Sequence, residues 1–419
     1  VLWRAEIQTQ IYNAPVIYDI NSDGHKELIF ATNSHYIEVL DHHGHKLQGW
    51  PFAFSDSGFV ASPLLYDIDN DGFNEIVVTT ENAEITFLKR DGVPLLGSTL
   101  VVPPLKAKKN WYREMVDEDE DDVALSYTLT DDKEEQHDTT RKLLQVGEDD
   151  RMDESIFQGV QGWLTDEGIQ SLELFLVSDT PENYVEFLKL QQDPLYSSQY
   201  ERYLNSSEAE SEKGYVFVDA HVLNTPVIAD LDNDGVHELI VAVSYYFDSV
   251  KYSNPKERAK LPVGLDISKY VAGGIVVFDL GTLEIKWTLN LDMTTDLSLY
   301  TGYIYTSPTV VDMNHDNMME IIIPTGVGFV YAIDHQGKLL HGLWPLMMDS
   351  IFAQVAAEDI NGDGNLELIV CDTNSNVIAY SLTGEEIWES RISGYPNQPV
   401  TIGDVDGNGV LDLVVGTTE

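Results

Sequence analysis

The sequence contains few basic residues, one cysteine and no long apolar run. Its 419 residues include 24 lysines and arginines against 71 aspartates and glutamates, which gives a formal net charge of −47. A surface this acidic disfavours contact with nucleic acid or an anionic membrane and favours cations. The single cysteine, Cys371, excludes an intramolecular disulfide and says little about the compartment. No apolar run approaches the roughly 18 residues of a membrane span, and the N-terminus does not read as a signal peptide.

Common enzyme signatures are also missing. The sequence has no G-x-S-x-G, no H-E-x-x-H, no P-loop and no G-x-G-x-x-G. The sequence therefore does not support assignment of the protein to the hydrolase, zinc peptidase or nucleotide-binding classes that depend on these motifs. No pair of side chains stands out as the base and charge neutraliser that a lyase needs.

The chain contains instead a repeated segment, of which "APVIYDINSDGHKELIFAT" and "SPLLYDIDNDGFNEIVVTT" are two copies. The first acids of the six copies are Asp19, Asp67, Asp230, Asp312, Asp359 and Asp404. Their spacings are 48, 163, 82, 47 and 45 residues. A period of 45–48 residues is typical of a propeller blade, and the two longer gaps indicate insertions.

Each copy predicts four short strands. An apolar stretch leads into an acidic loop, a β-branched run follows it, and a third stretch alternates in polarity. The fourth stretch often carries tryptophan: Trp50, Trp287, Trp344 and Trp388. Short strands with polar turns indicate antiparallel sheets rather than βαβ units. We therefore expect an all-β fold, a β-propeller of four-stranded blades, with seven blades in the intact protein.

The two ends of the sequence bear on how such a ring closes. "LWRAEIQTQIYNAPV" aligns with "IWESRISGYPNQPV" at 387–400, which places Trp3 where Trp388 lies. Residues 2–7 are therefore expected to form a fourth strand that completes the last blade. The sequence stops two strands into its sixth copy, so we expect the last blade to be truncated.

The acidic stretch of each copy is a nine-residue loop, and we number these loops 1 to 6 in chain order. Positions 1, 3 and 5 supply side-chain oxygens, position 9 is an acid, and position 6 is glycine except for Asn317 in loop 4. Glycine permits the sharp turn with positive φ, and asparagine is the next most tolerant residue. Oxygen ligands in this arrangement suit Ca²⁺, whereas magnesium favours a tighter octahedron and zinc favours nitrogen or sulfur.

The pattern predicts about six Ca²⁺ sites. The candidate ligands are Asp19, Asn21, Asp23 and Glu27; Asp67, Asp69, Asp71 and Glu75; Asp230, Asp232, Asp234 and Glu238; Asp312, Asn314, Asp316 and Glu320; Asp359, Asn361, Asp363 and Glu367; Asp404, Asp406, Asn408 and Asp412. Two roles remain open: an ion that cancels carboxylate repulsion and fixes the loop, or an ion that bridges to an acidic ligand.

The repeats resemble the FG-GAP repeats of integrin α-chain propellers, which carry D-x-D-x-D-G-x-x-D loops. Here glutamate replaces the last aspartate in five loops. The segments "NTPVIADLDNDGVHELIVAVSYYFD", "LDISKYVAGGIVVFDL", "YIYTSPTVVDM" and "TRKLLQV" resemble the plant defective-in-exine-formation family. That resemblance covers the propeller units and both insertion points and is weaker within the acidic insertion. It implies a calcium-binding propeller on the luminal or extracellular face of the plasma membrane or endomembranes, held by a C-terminal span that this sequence lacks.

The predicted organisation has three parts. Residues 1–115 hold blades 1 and 2 with the closing strand, 116–213 form an insertion, and 214–419 hold blades 3 to 6 with a loop insertion at 246–275. The insertion at 116–213 has 27 acidic and 7 basic residues. Its first part is expected to be disordered, and short helices are expected after Thr180.

Two features of the insertions point to surroundings and partners. The sequon at Asn205 fits a glycosylated secretory loop. The aromatic-rich insertion at 246–275 is the best candidate for a partner-contacting loop, and calcium buffering or docking of a basic partner is the alternative role for the acidic insertion.

These observations favour a noncatalytic adhesion or scaffold module that binds calcium and contacts wall polysaccharide or an extracellular protein. The resemblance implies a role in pollen or spore wall (exine) formation. Two other readings stay open: a calcium-dependent polysaccharide-active enzyme such as a lyase, and a spacer or calcium buffer. A central pocket lined by basic and tyrosine side chains would favour the lyase, and a flat aromatic rim would favour the binding module.

Overall fold

The computed structural model describes residues 3–7, 10–33, 35–53, 57–95, 98–114, 214–396 and 398–418. Asn205, the helices expected after Thr180 and the rest of 115–213 lie outside the described residues. In the part of the chain that is described, no helix is long and apolar enough to cross a membrane.

Antiparallel sheets follow one another along the chain, and in each the acidic loop joins the first strand to the second. We call these sheets blades. Blade 1 consists of β1 (Val16–Tyr18), β2 (Glu27–Ala31), β3 (Tyr36–Leu40) and β4 (Phe52–Ala53). Blade 2 consists of β5 (Leu64–Tyr66), β6 (Glu75–Thr79), β7 (Glu84–Leu88) and β8 (Leu100–Val101). The strands β9 (Leu105–Lys108) and β10 (Tyr215–Val218) then form a separate two-stranded ribbon.

The remaining strands repeat this order. Blade 3 consists of β11 (Ala220–His221), β12 (Val227–Ala229), β13 (Glu238–Tyr246), β14 (Val271–Asp279) and β15 (Glu284–Thr294). Blade 4 consists of β16 (Thr309–Val311), β17 (Glu320–Pro324), β18 (Phe329–Ile333) and β19 (Leu346–Met347). Blade 5 consists of β20 (Ala356–Glu358), β21 (Glu367–Cys371), β22 (Asn376–Tyr380) and β23 (Glu386–Arg391). The sixth unit has β24 (Tyr395–Pro396), β25 (Thr401–Gly403), β26 (Asp412–Val414) and β27 (Thr417–Thr418).

Alternate side chains of the second strand in a blade face opposite neighbouring blades. In β6, Ile76 joins an apolar cluster shared with blade 1, while the next residue, Val77, joins one shared with blade 3. In β17, Ile321 packs towards blade 3 and Ile322 towards blade 5. Because both faces of the sheet are buried, these strands read as continuous apolar runs rather than alternating ones. Sheets stacked face to face in chain order are the blades of a β-propeller, and the predicted all-β fold is confirmed.

The two strands on either side of the long insertion pair with each other. Tyr215 lies opposite Lys108, and the amide of Lys109 donates to the carbonyl of Gly214 at 2.7 Å. The short helix α1 (Trp111–Glu114) follows this ribbon, and the Trp111 indole donates to the carbonyl of Lys269 at 2.8 Å. The chain thus leaves and returns to the propeller at one place, against blade 3.

The second insertion is shorter than predicted and is ordered. Because β13 runs to Tyr246 and β14 starts at Val271, it covers only 247–270. It contains helix α2 (Pro255–Arg258) and the 3₁₀ turns Lys251–Ser253 and Ile267–Lys269. Its aromatic side chains Phe247, Tyr252 and Tyr270 are buried in the cluster between blades 2 and 3. The aromatic residues that suggested a contact loop are therefore core residues.

A tryptophan joins one blade to the hairpin turn of the next. In each case the indole N–H donates to a backbone carbonyl of that turn. The pairs are Trp50 with Arg90 (3.3 Å), Trp287 with His335 (2.9 Å) and Trp344 with Leu382 (2.9 Å). The indole lies so close that a Cβ on Gly337, which has φ +81°, would meet the Trp287 ring at 2.9 Å. The sequence had suggested that Trp50 and Trp344 lie in the fourth strands of their blades. In the structure both residues precede those strands.

The N-terminal prediction is partly altered. Residues 3–7 are not in a strand, because no described strand pairs with them, so the predicted strand at 2–7 is not found. Trp3 nevertheless lies on the hairpin turn of blade 1, where a Cβ on Gly44 would come within 2.6 Å of its ring. The Trp3 ring therefore packs on the turn of blade 1 as the Trp287 ring packs on the turn of blade 4.

Candidate metal centres in the blade loops

The aspartate at position 1 holds each loop in its turn. In loop 1, Oδ1 of Asp19 accepts from the amide of Asp23 at 3.0 Å, and Oδ2 accepts from the amide of Gly24 at 2.9 Å. The position-6 amide makes the same bond in all six loops, at 2.8–3.0 Å. A carboxylate that accepts several backbone amides fixes the loop and points its other lone pairs inward.

Two residues of each loop adopt positive φ. Position 6 was predicted, and Asn317 takes φ +68° where the other loops have glycine, so its tolerance is confirmed. Position 4 was missed, although it also has positive φ in every loop: +60° at Ser22 and +77° at Gly407, for example. The signal was present, because position 4 is serine, asparagine, histidine or glycine, mostly residues that tolerate this conformation.

The acid at position 9 begins the second strand and reaches back into the loop. Oε2 of Glu27 accepts from the amide of Ile20 at 3.0 Å, and the equivalent bonds in the other loops measure 2.7–3.1 Å. The five glutamates at this position are at most 3% exposed. Buried carboxylates of this kind need a partner for each oxygen.

Burial raises the pKa of these glutamates, because it disfavours the charged form. For Glu27 the nearby charges of Asp23 and Asp19 raise the pKa further. Glu320 behaves in the same way beside Asp316 and Asp312. Like charges within a few ångströms repel, and a bound cation would relieve that repulsion.

The pKa values of two exposed aspartates, Asp23 and Asp363, are shifted in the opposite direction. The backbone N–H of His25 lowers the pKa of Asp23, and the backbone N–H of Asn365 lowers that of Asp363. Both carboxylates are therefore ionised over a wide pH range.

The predicted ligands come together in the structure. Carboxylate oxygens lie within 4.8 Å of one another in three loops: Asp67, Asp69 and Asp71; Asp230, Asp232 and Asp234; Asp404, Asp406 and Asp412. The other three loops have Asn21, Asn314 or Asn361 at position 3, which offers an amide oxygen instead. Every donor is oxygen, the ligand type that hard cations such as Ca²⁺ prefer.

Two buried oxygens in these loops have no hydrogen-bond partner among the described residues. They are Oε1 of Glu27 in loop 1 and Oδ1 of Asp232 in loop 3. An unpartnered buried carboxylate oxygen is costly unless an ion or water occupies the adjacent space. The donor set and Oε1 of Glu27 fit a hard cation, and assignment of the individual ligands stays a prediction.

Positions 3 and 9 are bridged differently from loop to loop. In loop 5, Nδ2 of Asn361 donates to Oε1 of Glu367 at 2.8 Å. In loop 3, the ammonium of Lys286 lies 2.7 Å from Oδ2 of Asp232 and 2.8 Å from Oε1 of Glu238. This contact could not be predicted from the repeated loop pattern, because Lys286 lies on β15, 48 residues from Glu238 and outside that pattern. Burial opposes the charge of Lys286, but the two carboxylates outweigh it and raise its pKa.

A row of aromatic side chains lies at the opposite end of blades 3 to 5. His221 stacks on Tyr246 at 3.9 Å between ring centroids, and Tyr303 contacts Tyr246 edge-on at 5.2 Å. Tyr305 then lies 5.7 Å from Tyr303 and 5.2 Å from Phe352. Tyr305 is 39% exposed and Phe352 is 42% exposed. The acidic loops come directly after the first strand that leads into each of them. The aromatic residues instead come before such a strand or, like Tyr246, at the end of the strand that follows the loop. The aromatic row and the acidic loops therefore lie on opposite faces of the propeller.

Comparison with known families identifies FG-GAP-like repeats. The family model described as FG-GAP-like repeat matches residues 19–78 and 359–415, which include loops 1, 2, 5 and 6. Loops 3 and 4 have the same pattern but lie outside the matched residues. Comparison with curated proteins gives no significant match.

Solved structures of other proteins are similar over most of the chain. The structure described as BBS1N in complex with ARL6DN has 10% identity and a TM-score of 0.44, and the match covers 97% of this chain and 76% of that one. BamB from Moraxella catarrhalis has 11% identity and a TM-score of 0.38, with coverage of 99% and 83%. The Dos1 propeller has 9% identity and a TM-score of 0.34, with coverage of 92% and 71%. Because these TM-scores are low, the fold is assigned from the sheets and apolar clusters described above and not from these similarities. The chain is a β-propeller in which residues 19–78 and 359–415 match the FG-GAP-like repeat.

Proposed function

We propose that this propeller is a noncatalytic binding module whose blade loops hold Ca²⁺. The observation that carries the proposal is the repeated loop geometry. Carboxylate oxygens of positions 1, 3 and 5 converge in loops 2 and 3, and those of positions 1, 3 and 9 converge in loop 6. The glutamate at position 9 is buried in loops 1 to 5. Ca²⁺ accepts six to eight oxygens in flexible geometry, whereas Mg²⁺ needs a near-ideal octahedron. The ion supplies positive charge that stabilises the loop joining the first two strands of a blade.

The calcium ions on this reading have a structural role. Each loop connects the two strands that pack against both neighbouring blades, so fixing the loop also fixes the register of these strands. The carboxylates of Asp19 and Glu27 accept hydrogen bonds from backbone amides of their own loop, and the equivalent residues of the other loops do the same. This use of the acids favours a structural role over general acid–base chemistry.

The proposed ligand is a neutral wall polysaccharide, or an extracellular protein, on the aromatic row. Tyrosine rings present an apolar face and a polar tip, which suits a surface that is partly wet. A formal net charge of −47 repels polyanions, so a neutral chain is favoured over an acidic one. We also propose, from the resemblance alone, that the module faces the lumen or the exterior of the cell and acts in exine formation.

The test of the ligand proposal is binding to immobilised neutral wall polysaccharides in the presence of calcium. We expect the double variant Y305A/F352A to lose at least about tenfold in affinity, since stacked aromatic anchors dominate such contacts. Y36A is the matched control, because Tyr36 is 42% exposed and lies on blade 1 away from the row. Equal binding by both variants, or no binding by the parent protein, would contradict the proposal.

A further inference from the structure

The carboxylates of loop 3 contact a side-chain cation, the ammonium group of Lys286. The Lys286 ammonium contacts Oδ2 of Asp232 at position 3 and Oε1 of Glu238 at position 9, at 2.7 and 2.8 Å. The Lys286 side chain is only 24% exposed, and that of Glu238 is fully buried. These two oxygens are among the ones that an ion in this loop would need.

No other loop in the described chain has such a bridge. In loop 2, Lys89 reaches only Asp69, at 3.4 Å, and its side chain is 42% exposed. In loops 4 and 5 the neutral amide of an asparagine joins position 3 to position 9. Loop 3 alone among them therefore has a formal positive charge between these two positions.

The fold holds Lys286 in this position. It lies on β15 next to Trp287, whose indole donates to the carbonyl of His335 in the next blade at 2.9 Å. Val277 of β14 pairs with Trp287. The backbone that carries the lysine is thus fixed from both sides, and its side chain needs no rearrangement to reach loop 3.

We propose that the Lys286 ammonium takes the place of the metal ion in loop 3, so that this loop does not bind Ca²⁺ in the native protein. The inference rests on the proposed function, because it assumes that the other loops bind the ion. An ammonium and a Ca²⁺ ion compete for the same carboxylate oxygens, and the ammonium is tethered at high effective concentration. Blade 3 then keeps its loop ordered when calcium is withdrawn.

The first test counts bound ions on the full chain by native mass spectrometry. Asp234 and Asp71 are both exposed position-5 residues, in loops 3 and 2, and neither contacts a lysine in the described structure. We expect D71A, which removes the side-chain oxygen at this position, to lower the number of bound Ca²⁺ ions by one and D234A to leave it unchanged. A loss of one ion in D234A would show that loop 3 binds calcium and would overturn the proposal.

The second test removes the tethered charge. K286M keeps most of the apolar stem but has no ammonium, so Oδ2 of Asp232 and Oε1 of Glu238 become free to bind an added ion. We expect K286M to bind one more Ca²⁺ than the parent, and to melt below it in chelator but not in calcium. K338M is the control, because Lys338 is an exposed turn residue whose ammonium bonds only Gln336 among the described side chains. If the parent binds calcium, an unchanged ion count in K286M overturns the proposal.

Failure of the underlying function is distinguishable from failure of this inference. If the parent and K286M both bind no ion, the calcium proposal is wrong for all loops. The melting temperatures in chelator then decide whether Lys286 is the cation of loop 3. Equal melting temperatures for K286M and K338M overturn that role, and a clearly lower melting temperature for K286M supports it.

Discussion

Asp292 is a carboxyl group buried between blades 3 and 4. It is 6% exposed and accepts hydrogen bonds from Oγ1 of Thr325 at 2.6 Å and from the hydroxyl of Tyr331 at 2.5 Å. Burial raises its pKa from 3.8 to about 6, and the two hydrogen bonds offset only part of that effect. The folded protein therefore binds a proton here that the unfolded chain releases.

The sign of the pH effect follows from that difference. Because the pKa of Asp292 is raised in the folded state, the stability that this group contributes is fully present below pH 3.8. That contribution is lost as the pH rises to about 6. The loss amounts to roughly 3 kcal/mol in the free energy of unfolding. We expect D292N, which carries no titrating group, to gain stability relative to the parent between pH 4 and 6.

The measurement is the difference in denaturant midpoint between the parent and D292N across this pH range. Taking the difference removes the effect of all other acids, which titrate equally in both proteins. Parallel curves at every pH would show that Asp292 has an ordinary pKa and is not desolvated as the fold implies.

At the scale of the element, the tryptophan contact between blades gives a second prediction. Trp344 is 3% exposed, and its indole bond to the Leu382 carbonyl lies at the boundary of blades 4 and 5. W344F removes that donor and leaves a partly buried carbonyl without its partner. We expect a loss of about 2 kcal/mol in the free energy of unfolding.

Trp388 provides the matched control for this variant. It lies within β23, the fourth strand of blade 5, whereas Trp344 lies just before the fourth strand of blade 4, and no indole hydrogen bond links Trp388 to another described residue. W388F is therefore expected to cost well under half as much as W344F, measured by chemical denaturation. A similar cost for both variants would show that the indole bond is not what joins the blades.

Some elements were predictable from the sequence and others were not, for physical reasons. The loops and the strands that flank them repeat a local pattern, so "DIDNDGFNE" at 67–75 predicted a turn with converging oxygens. The position of Lys286 depends on a contact between residues 48 apart within blade 3, and that of Trp3 on a contact with the turn of blade 1. No local sequence pattern records either contact. The aromatic residues of 247–270 suggested exposure because the sequence does not reveal which insertions fold back into the core.

At the scale of the whole molecule, the fold distributes its charge in a particular way. The apolar side chains of each blade pack against its two neighbours, and the acidic residues of the blade loops lie close to one another within each loop. Repulsion among these acids opposes folding, and about 2.7 kcal/mol per site is gained when an ion is present at about 100 times its dissociation constant. The propeller is therefore expected to depend on calcium as a unit rather than blade by blade.

The most direct test is calorimetric titration of the chelator-treated protein with Ca²⁺, together with melting curves. We predict about five bound ions, one for each of loops 1, 2, 4, 5 and 6, and a large rise in melting temperature. Binding of only one or two ions, with an unchanged melting temperature, would contradict the account. The loops would then be turns stabilised by their own backbone hydrogen bonds rather than metal centres.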